Sequence, residues 1–182
     1  MLNDIKKILL TEEEIDQLTT RIAKEIDENY SDRDKKLVLL GILKGSVVFM
    51  SDLMKKIKRP VDIDFMKVSS YGLGTETSGK INIILDIHRN DLSECDILII
   101  EDIIDSGRTL SYLVDYLKLN GARSVETCTL LDKPSRRQVE FTPTYVGAAI
   151  PDEFVVGYGL DFAEQYRTLP FVGILKEEVY EK

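Results

Sequence analysis

Two runs constrain this chain most: "KLVLLGIL", from Lys36 to Leu43, and "DILII", from Asp96 to Ile100. Each is apolar without alternation after its charged first residue, as in a strand covered on both faces, and such strands belong to parallel sheets roofed by helices. Helical signals follow each run. "SVVFMSDLMKKIK" reads as a helix ended by Pro60, and a second helix runs from about Thr109 to Leu119, where Asn120-Gly121 stops it. Upstream, "LTEEEIDQLTTRIAKEIDENY" offers Thr11 as an N-cap with Glu14 three residues later, and Ile15, Leu18, Ile22 and Ile26 recur at helical spacing. "VDIDFMKVSSY" alternates with period two, and "INIILDI" and "VETCTLLD" also read as strands. Strand alternating with helix predicts an α/β fold on a largely parallel sheet. "TYVGAAI", "FVVGYGL" and "FVGILKE" add short strands that cap or flank it.

A chain of 182 residues, 43% of them hydrophobic, can bury one sizeable core, and no repeat, low-complexity tract or linker divides it. One domain over residues 1–182 is expected. The net charge of -8 argues against a surface built to hold nucleic acid. Cys95 and Cys128 are far apart with no CxxC partner, and His88 is the sole histidine, so spacing supplies neither a thiolate zinc site nor a Cys/His nucleophile pair. No apolar run approaches the ~18 residues that cross a bilayer, and "MLNDIKKILL" lacks a long apolar stretch before a small-residue cleavage site. The sequence therefore predicts a cytoplasmic protein with no membrane partner.

The chemistry gathers in "ILIIEDIIDSGRTL". In open parallel sheets ligands collect beyond the carboxyl ends of strands, and this stretch falls where strand gives way to helix. Asp105, Ser106, Gly107, Arg108 and Thr109 combine backbone N–H groups at a helix start, a glycine for close approach and two hydroxyls, which suits a phosphate monoester. Glu101 and Asp102 come one and two residues past the apolar run, so at a strand end they face opposite sides. One meets vicinal hydroxyls or a cation and the other braces the loop. Rival phosphate motifs fail on spacing: there is no GxxxxGK[ST], and the glycines at 72, 74 and 79 do not make GxGxxG.

These residues resemble the phosphoribosyl-diphosphate (PRPP) binding motif of type I phosphoribosyltransferases: a hydrophobic strand, two acids, then a loop for the 5-phosphate. "LLGILKGS" is similar to that family's pyrophosphate loop and "KVSSYGLGTETSGK" to its flexible catalytic loop. "LLDKPSRR" and "IPDEFVVGYGLDFAEQYRTLP" resemble the base-binding hood of its hypoxanthine-guanine members. The resemblance runs from about Leu37 onward. Ser106 stands where many members have threonine, which keeps the hydroxyl.

The resemblance implies the type I phosphoribosyltransferase fold, with a parallel central sheet flanked by helices, a small hood formed mainly by C-terminal segments, and a flexible loop. It implies purine salvage by a magnesium-dependent transfer from PRPP to hypoxanthine or guanine, giving IMP or GMP and pyrophosphate, in a homodimer or homotetramer. Asp105 would be the catalytic base; Glu101, Asp102, Ser106, Gly107, Arg108 and Thr109 would hold ribose and 5-phosphate. Lys44, Gly45 and Arg167 would hold pyrophosphate. Lys133, Phe154, Val155 and Asp161 would surround the purine, Glu101, Asp102 and Asp161 would hold Mg²⁺, and Ser70 and Tyr71 would belong to the lid. Residue by residue, plainer roles stay open: a turn lysine at 44, a surface ion pair at Arg167, a core strand at Phe154 and Val155, a turn cap at Asp161. Two other functions also stay open, a nucleotide-sensing binding module on the same fold and a transferase for another base.

Overall fold

The computed structural model describes residues 1–32, 34–70 and 81–181. Six strands form the main sheet, and three outlying strands form a second. The first strand, β1 (Ile5–Leu10), joins the last two, β8 (Val155–Val156) and β9 (Val172–Leu175), in a small antiparallel sheet ordered β1-β9-β8. Between them come β2 (Lys36–Ile42), β3 (Asp62–Ser70), β4 (Ile81–Leu85), β5 (Cys95–Ile104), β6 (Ser124–Asp132) and β7 (Tyr145–Ala149), ordered β4-β3-β2-β5-β6-β7. Only β4 runs antiparallel to its neighbour; β3, β2, β5, β6 and β7 are mutually parallel. This is the expected α/β architecture.

Both faces of the main sheet are covered, which is why β2 and β5 read as unbroken apolar runs. On one side Leu37, Leu39, Leu98 and Ile100 pack with residues of α1 (Glu12–Asn29) and α2 (Ser46–Lys56). On the other, Val38, Leu40, Ile97 and Ile99 pack with Leu110, Leu113 and Leu117 of α3 (Arg108–Leu119). Each fully buried aliphatic side chain contributes about 1.5–3 kcal/mol. α1 opens with the capping box its sequence predicts: the Glu14 N–H donates to Thr11 Oγ1 at 3.2 Å and the Thr11 N–H to Glu14 Oε2 at 2.8 Å. At the opposite end of the sheet from the site, Arg123 donates to both oxygens of Asp96, at 2.9 and 2.8 Å, and Ser124 Oγ adds a third bond at 2.6 Å. The guanidinium, chiefly, holds the Asp96 carboxyl below the usual range.

Three details go beyond expectation. α2 stops at Lys56, short of Pro60, because the chain turns extended at Ile57 and the Asp27 carboxylate takes the Lys58 N–H. The small sheet is not built from C-terminal segments alone, since β1 forms one edge of it. "IKKILL" carries neither alternation nor a continuous run, and its strand character comes from pairing with β9, with register shifts at Lys7 and Leu10. Finally, β5 runs on through both acids to Ile104. A short helix, α4 (Glu177–Tyr180), follows β9. No helix among the described residues is long and apolar enough to cross a membrane.

Candidate active site

The parallel strands deliver β5 and β6 to the same edge of the sheet, and the site is built there. Strict alternation in β5 breaks near the acids: Ile100 packs with the α1/α2 core, yet so does Ile103, while Ile104 packs on the α3 side. The break falls after the acids, which face opposite sides as strand geometry predicts: Asp102 lies on the α2 side and Glu101 lines a cavity with Thr109 and Leu110 on the α3 side. Burial pushes both pKa values up, and the charge of Asp102 raises Glu101 further. Asp102 is 9% exposed, and its Oδ1 accepts the Ile103 N–H at 2.8 Å. Its carboxyl lies hard against Gly45 at the start of α2: a Cβ there would meet Asp102 Oδ2 at 1.6 Å.

Beyond Ile104 the chain turns through Gly107, whose φ of +79° is a left-handed conformation that favours glycine, and enters α3 at Arg108. A cavity of about 220 Å³ opens at this turn, lined by Glu101, Ile103, Asp105, Ser106, Gly107 and Thr109 among others. The predicted phosphate residues therefore share one hollow, with one exception. Arg108 gives its N–H to Ser106 Oγ at 3.3 Å, while the residue itself lines a separate hollow with Ser111 and Tyr112.

The end of β6 forms the opposite wall. Lys133 is only 7% exposed, and its Nζ lies 3.9 Å from Asp105 Oδ1; its backbone N–H donates to the Ile104 carbonyl at 2.9 Å. Arg137, which the sequence did not single out, ties the two walls together. It donates from Nη1 to the Asp105 carbonyl and from Nη2 to Asp132 Oδ1, and a Cβ on Gly107 would lie 2.9 Å from its Cδ. Its signal, two adjacent arginines in "PSRR", does not say which one turns inward.

The third wall is the segment between β8 and β9. Gly159, at φ +97°, lets its backbone press on the Lys44-Gly45 turn: a Cβ there would sit 2.3 Å from the Gly45 carbonyl. Tyr158 donates to Asp52 Oδ2 at 2.7 Å, fastening this segment to α2. Arg167 donates from Nη1 to the Gly159 carbonyl at 2.7 Å and pairs through Nη2 with Asp161 at 2.8 Å and Glu164 at 3.2 Å. Glu164 also pairs with Lys44 Nζ at 2.8 Å. Sequence reasoning missed Glu164, yet it joins the two cations expected to hold pyrophosphate, and chiefly Lys44 lowers its pKa. The Leu43–Lys44 peptide is cis.

Among the remaining candidates, Phe154 is 37% exposed, whereas Val155 is buried in β8 and packs in the core, so its side chain faces away from solvent. Asp161 stands beside Arg167 and also accepts the Glu164 N–H at 2.9 Å. Ser70 ends β3. Tyr71 lies outside the described residues.

A divalent cation can be tested against this donor set. Among the described residues no three His, Cys, Asp or Glu side chains gather into a cage. Asp102, which is buried, and Glu101, which lines the cavity, do offer hard oxygen donors adjacent in the chain. That fits Mg²⁺, which takes one or two carboxylates, keeps several waters and completes its shell with substrate oxygens. Chemically, the arrangement offers a phosphate-sized pocket at a helix start, two carboxyls adjacent in the chain, cations on the third wall, and a buried ammonium next to a carboxylate.

Residues 7–163 match the phosphoribosyl transferase domain, and the chain belongs to the phosphoribosyltransferase family. Within it the chain is similar to hypoxanthine-guanine enzymes. It is 49% identical over 180 residues to the hypoxanthine-guanine phosphoribosyltransferase of Staphylococcus aureus, covering 99% of each chain. A crystal structure of a hypoxanthine phosphoribosyltransferase from the same organism superposes with a TM-score of 0.94 at 49% identity, covering 100% of this chain and 97% of that one. The chain is also 51% identical over 180 residues to the bifunctional protein TilS/HprT of Listeria monocytogenes, where the match covers 99% of this chain but spans 27% of that longer protein.

Proposed function

We propose that this chain transfers the 5-phosphoribosyl group of PRPP to hypoxanthine or guanine, giving IMP or GMP and pyrophosphate, in a magnesium-dependent step of purine salvage. The observation that carries this reading is the pairing of Asp105 with the buried Lys133, 3.9 Å apart, beside the phosphate-sized pocket. A purine with one edge set against both presents a ring N–H to the carboxylate and its 6-oxo group to the ammonium.

In this reading Ser106, Gly107, Thr109 and the backbone N–H of Arg108 hold the 5-phosphate at the start of α3, where the helix dipole favours an anion. Glu101 and Asp102 face the ribose hydroxyls as the sugar takes on oxocarbenium character. Lys44, the Gly45 backbone and Arg167 receive the leaving pyrophosphate, so that opposite charges developing in the transition state meet separate, pre-positioned partners. Glu164 yields those cations to the incoming diphosphate. Asp105 removes the ring proton as the new C–N bond forms, and Phe154 stacks on the base. Magnesium, when bound by Glu101, Asp102 and Asp161, supplies charge neutralisation of the diphosphate oxygens. We read the whole chain as one domain of a cytoplasmic homodimer or homotetramer.

The test is an absorbance assay with hypoxanthine, PRPP and Mg²⁺. Turnover to IMP is the expected result. PRPP binding without turnover under any purine would instead indicate a nucleotide-sensing module and overturn the reading.

A further inference from the structure

Phe154 is not a free ring. Its carbonyl accepts the Leu175 N–H at 2.8 Å, so the strand after which α4 begins is hydrogen-bonded to the residue itself. α4 then folds back and lays Tyr180 on the Phe154 ring, with centroids 4.8 Å apart and planes 22° from parallel. Phe162 meets the same ring edge-on at 5.6 Å and 89°. Tyr180 in turn packs against a small cluster that includes Val156, Leu169 and Leu175 and is separate from the two main cores. Phe154 still keeps 37% of its surface exposed, enough to present to a further ring.

We propose that Tyr180 is a positioning residue for the purine, fixing the plane of Phe154 from behind so that its open face meets the base. The inference rests on the reading of Phe154 as the base-stacking residue given above. A phenylalanine ring turns about two torsions. Backed by one aromatic and braced at right angles by another, it is held in a single plane before the purine arrives, which removes an ordering cost from binding. Because stacking engages the ring face and not its substituents, the effect falls on hypoxanthine and guanine alike.

The test compares wild type with Tyr180→Leu, which keeps apolar bulk in the cluster, and Tyr180→Phe, which keeps the ring. Tyr180→Leu should raise the KM for both purines by roughly 2- to 10-fold, with kcat and the KM for PRPP little changed, and Tyr180→Phe should restore the wild-type values. A purine KM unchanged in Tyr180→Leu would overturn the inference, as would a lowered one, which would put Tyr180 in the place of the base. A parallel rise in the KM for PRPP would also overturn it, by making α4 a general prop for the site. Absence of wild-type turnover would defeat the reading of the function itself, a result distinct from all three.

Discussion

Asp102 occupies the space that any side chain at Gly45 would need, since a Cβ there would lie 1.6 Å from Asp102 Oδ2. Gly45 has ordinary helical angles, φ -58° and ψ -36°, so alanine imposes no backbone strain and the clash acts alone. Asp102 is buried and held by the Ile103 N–H, so it yields only by leaving that position. Misplacing such a group by about an ångström costs on the order of 10²-fold in rate. Gly45→Ala should therefore lower kcat/KM for PRPP by about that factor. Steady-state kinetics with varied PRPP checks it, and an unchanged value would remove Asp102 from the sugar site.

In the proposed reaction Asp105 is the group that accepts the proton. Asp105→Asn keeps the shape and the carbonyl contact with Arg137, so the loop should remain intact. Loss of a positioned base typically removes about 10² to 10⁴-fold. Single-turnover rates should fall within that span while PRPP affinity, read by calorimetry, stays close to wild type. A rate equal to wild type would leave the carboxylate without a part in the chemistry.

For Asp161 the structure sharpens the choice between two roles. Its carboxylate pairs with Arg167 at 2.8 Å, so removing it disturbs an arginine as well as any bound metal. If Asp161 holds magnesium, Asp161→Ala should raise the Mg²⁺ needed for half-maximal rate by about 10- to 100-fold, weaken PRPP more than purine, and be partly rescued by excess Mg²⁺. If it only orients Arg167, added Mg²⁺ rescues nothing.

Much of this was legible from sequence, for identifiable reasons. β2 and β5 declared themselves because both faces are buried, so no polar residue interrupts them. Residues 105–109 declared themselves because the chemistry of a phosphate loop is local: glycine, hydroxyls and a helix start within one turn. What was hidden depends on tertiary approach. The reversal that turns Ile103 toward the α1/α2 core and Ile104 toward α3 is a break in strand alternation that the pattern of apolar residues does not mark. Arg137 and Glu164 act across loops, and nothing near them in sequence distinguishes them from surface charges. β1 is a strand only by virtue of β9, at the far end of the chain. Of the roles left open for Val155, its side chain takes the core-strand one, so that only its backbone is left to meet a base.

The ion pair at the other end of the sheet gives a prediction about stability. Asp96, whose side chain is 12% exposed, is held below its ordinary value near 3.8 chiefly by Arg123. A carboxyl with a depressed folded-state pKa contributes stability above its unfolded value and loses it as pH falls toward the folded value. Asp96→Asn should thus destabilise the protein by about 1–2 kcal/mol at pH 7. The difference from wild type should shrink as pH drops below about 4. Urea unfolding across that range checks it; a gap that stays constant with pH would mean that the charge on Asp96 contributes nothing.

The central claim is that Lys133 and Asp105, side by side, read one edge of a 6-oxopurine. An ammonium has three donors and no acceptor, so it satisfies a 6-oxo group and meets a donor where adenine carries its amino group. Sites that hydrogen-bond a substrate's polar group reject an analogue lacking it by as much as about 10⁴ to 10⁵-fold. The most direct measurement is kcat/KM for hypoxanthine and for adenine in wild type and in Lys133→Met, which keeps the bulk of the stem and removes the donors. The predicted result is strong use of hypoxanthine and little of adenine by wild type, with the ratio collapsing in Lys133→Met through loss of hypoxanthine activity alone. Equal slowing of both bases, or a wild type that uses adenine as well as hypoxanthine, would contradict it.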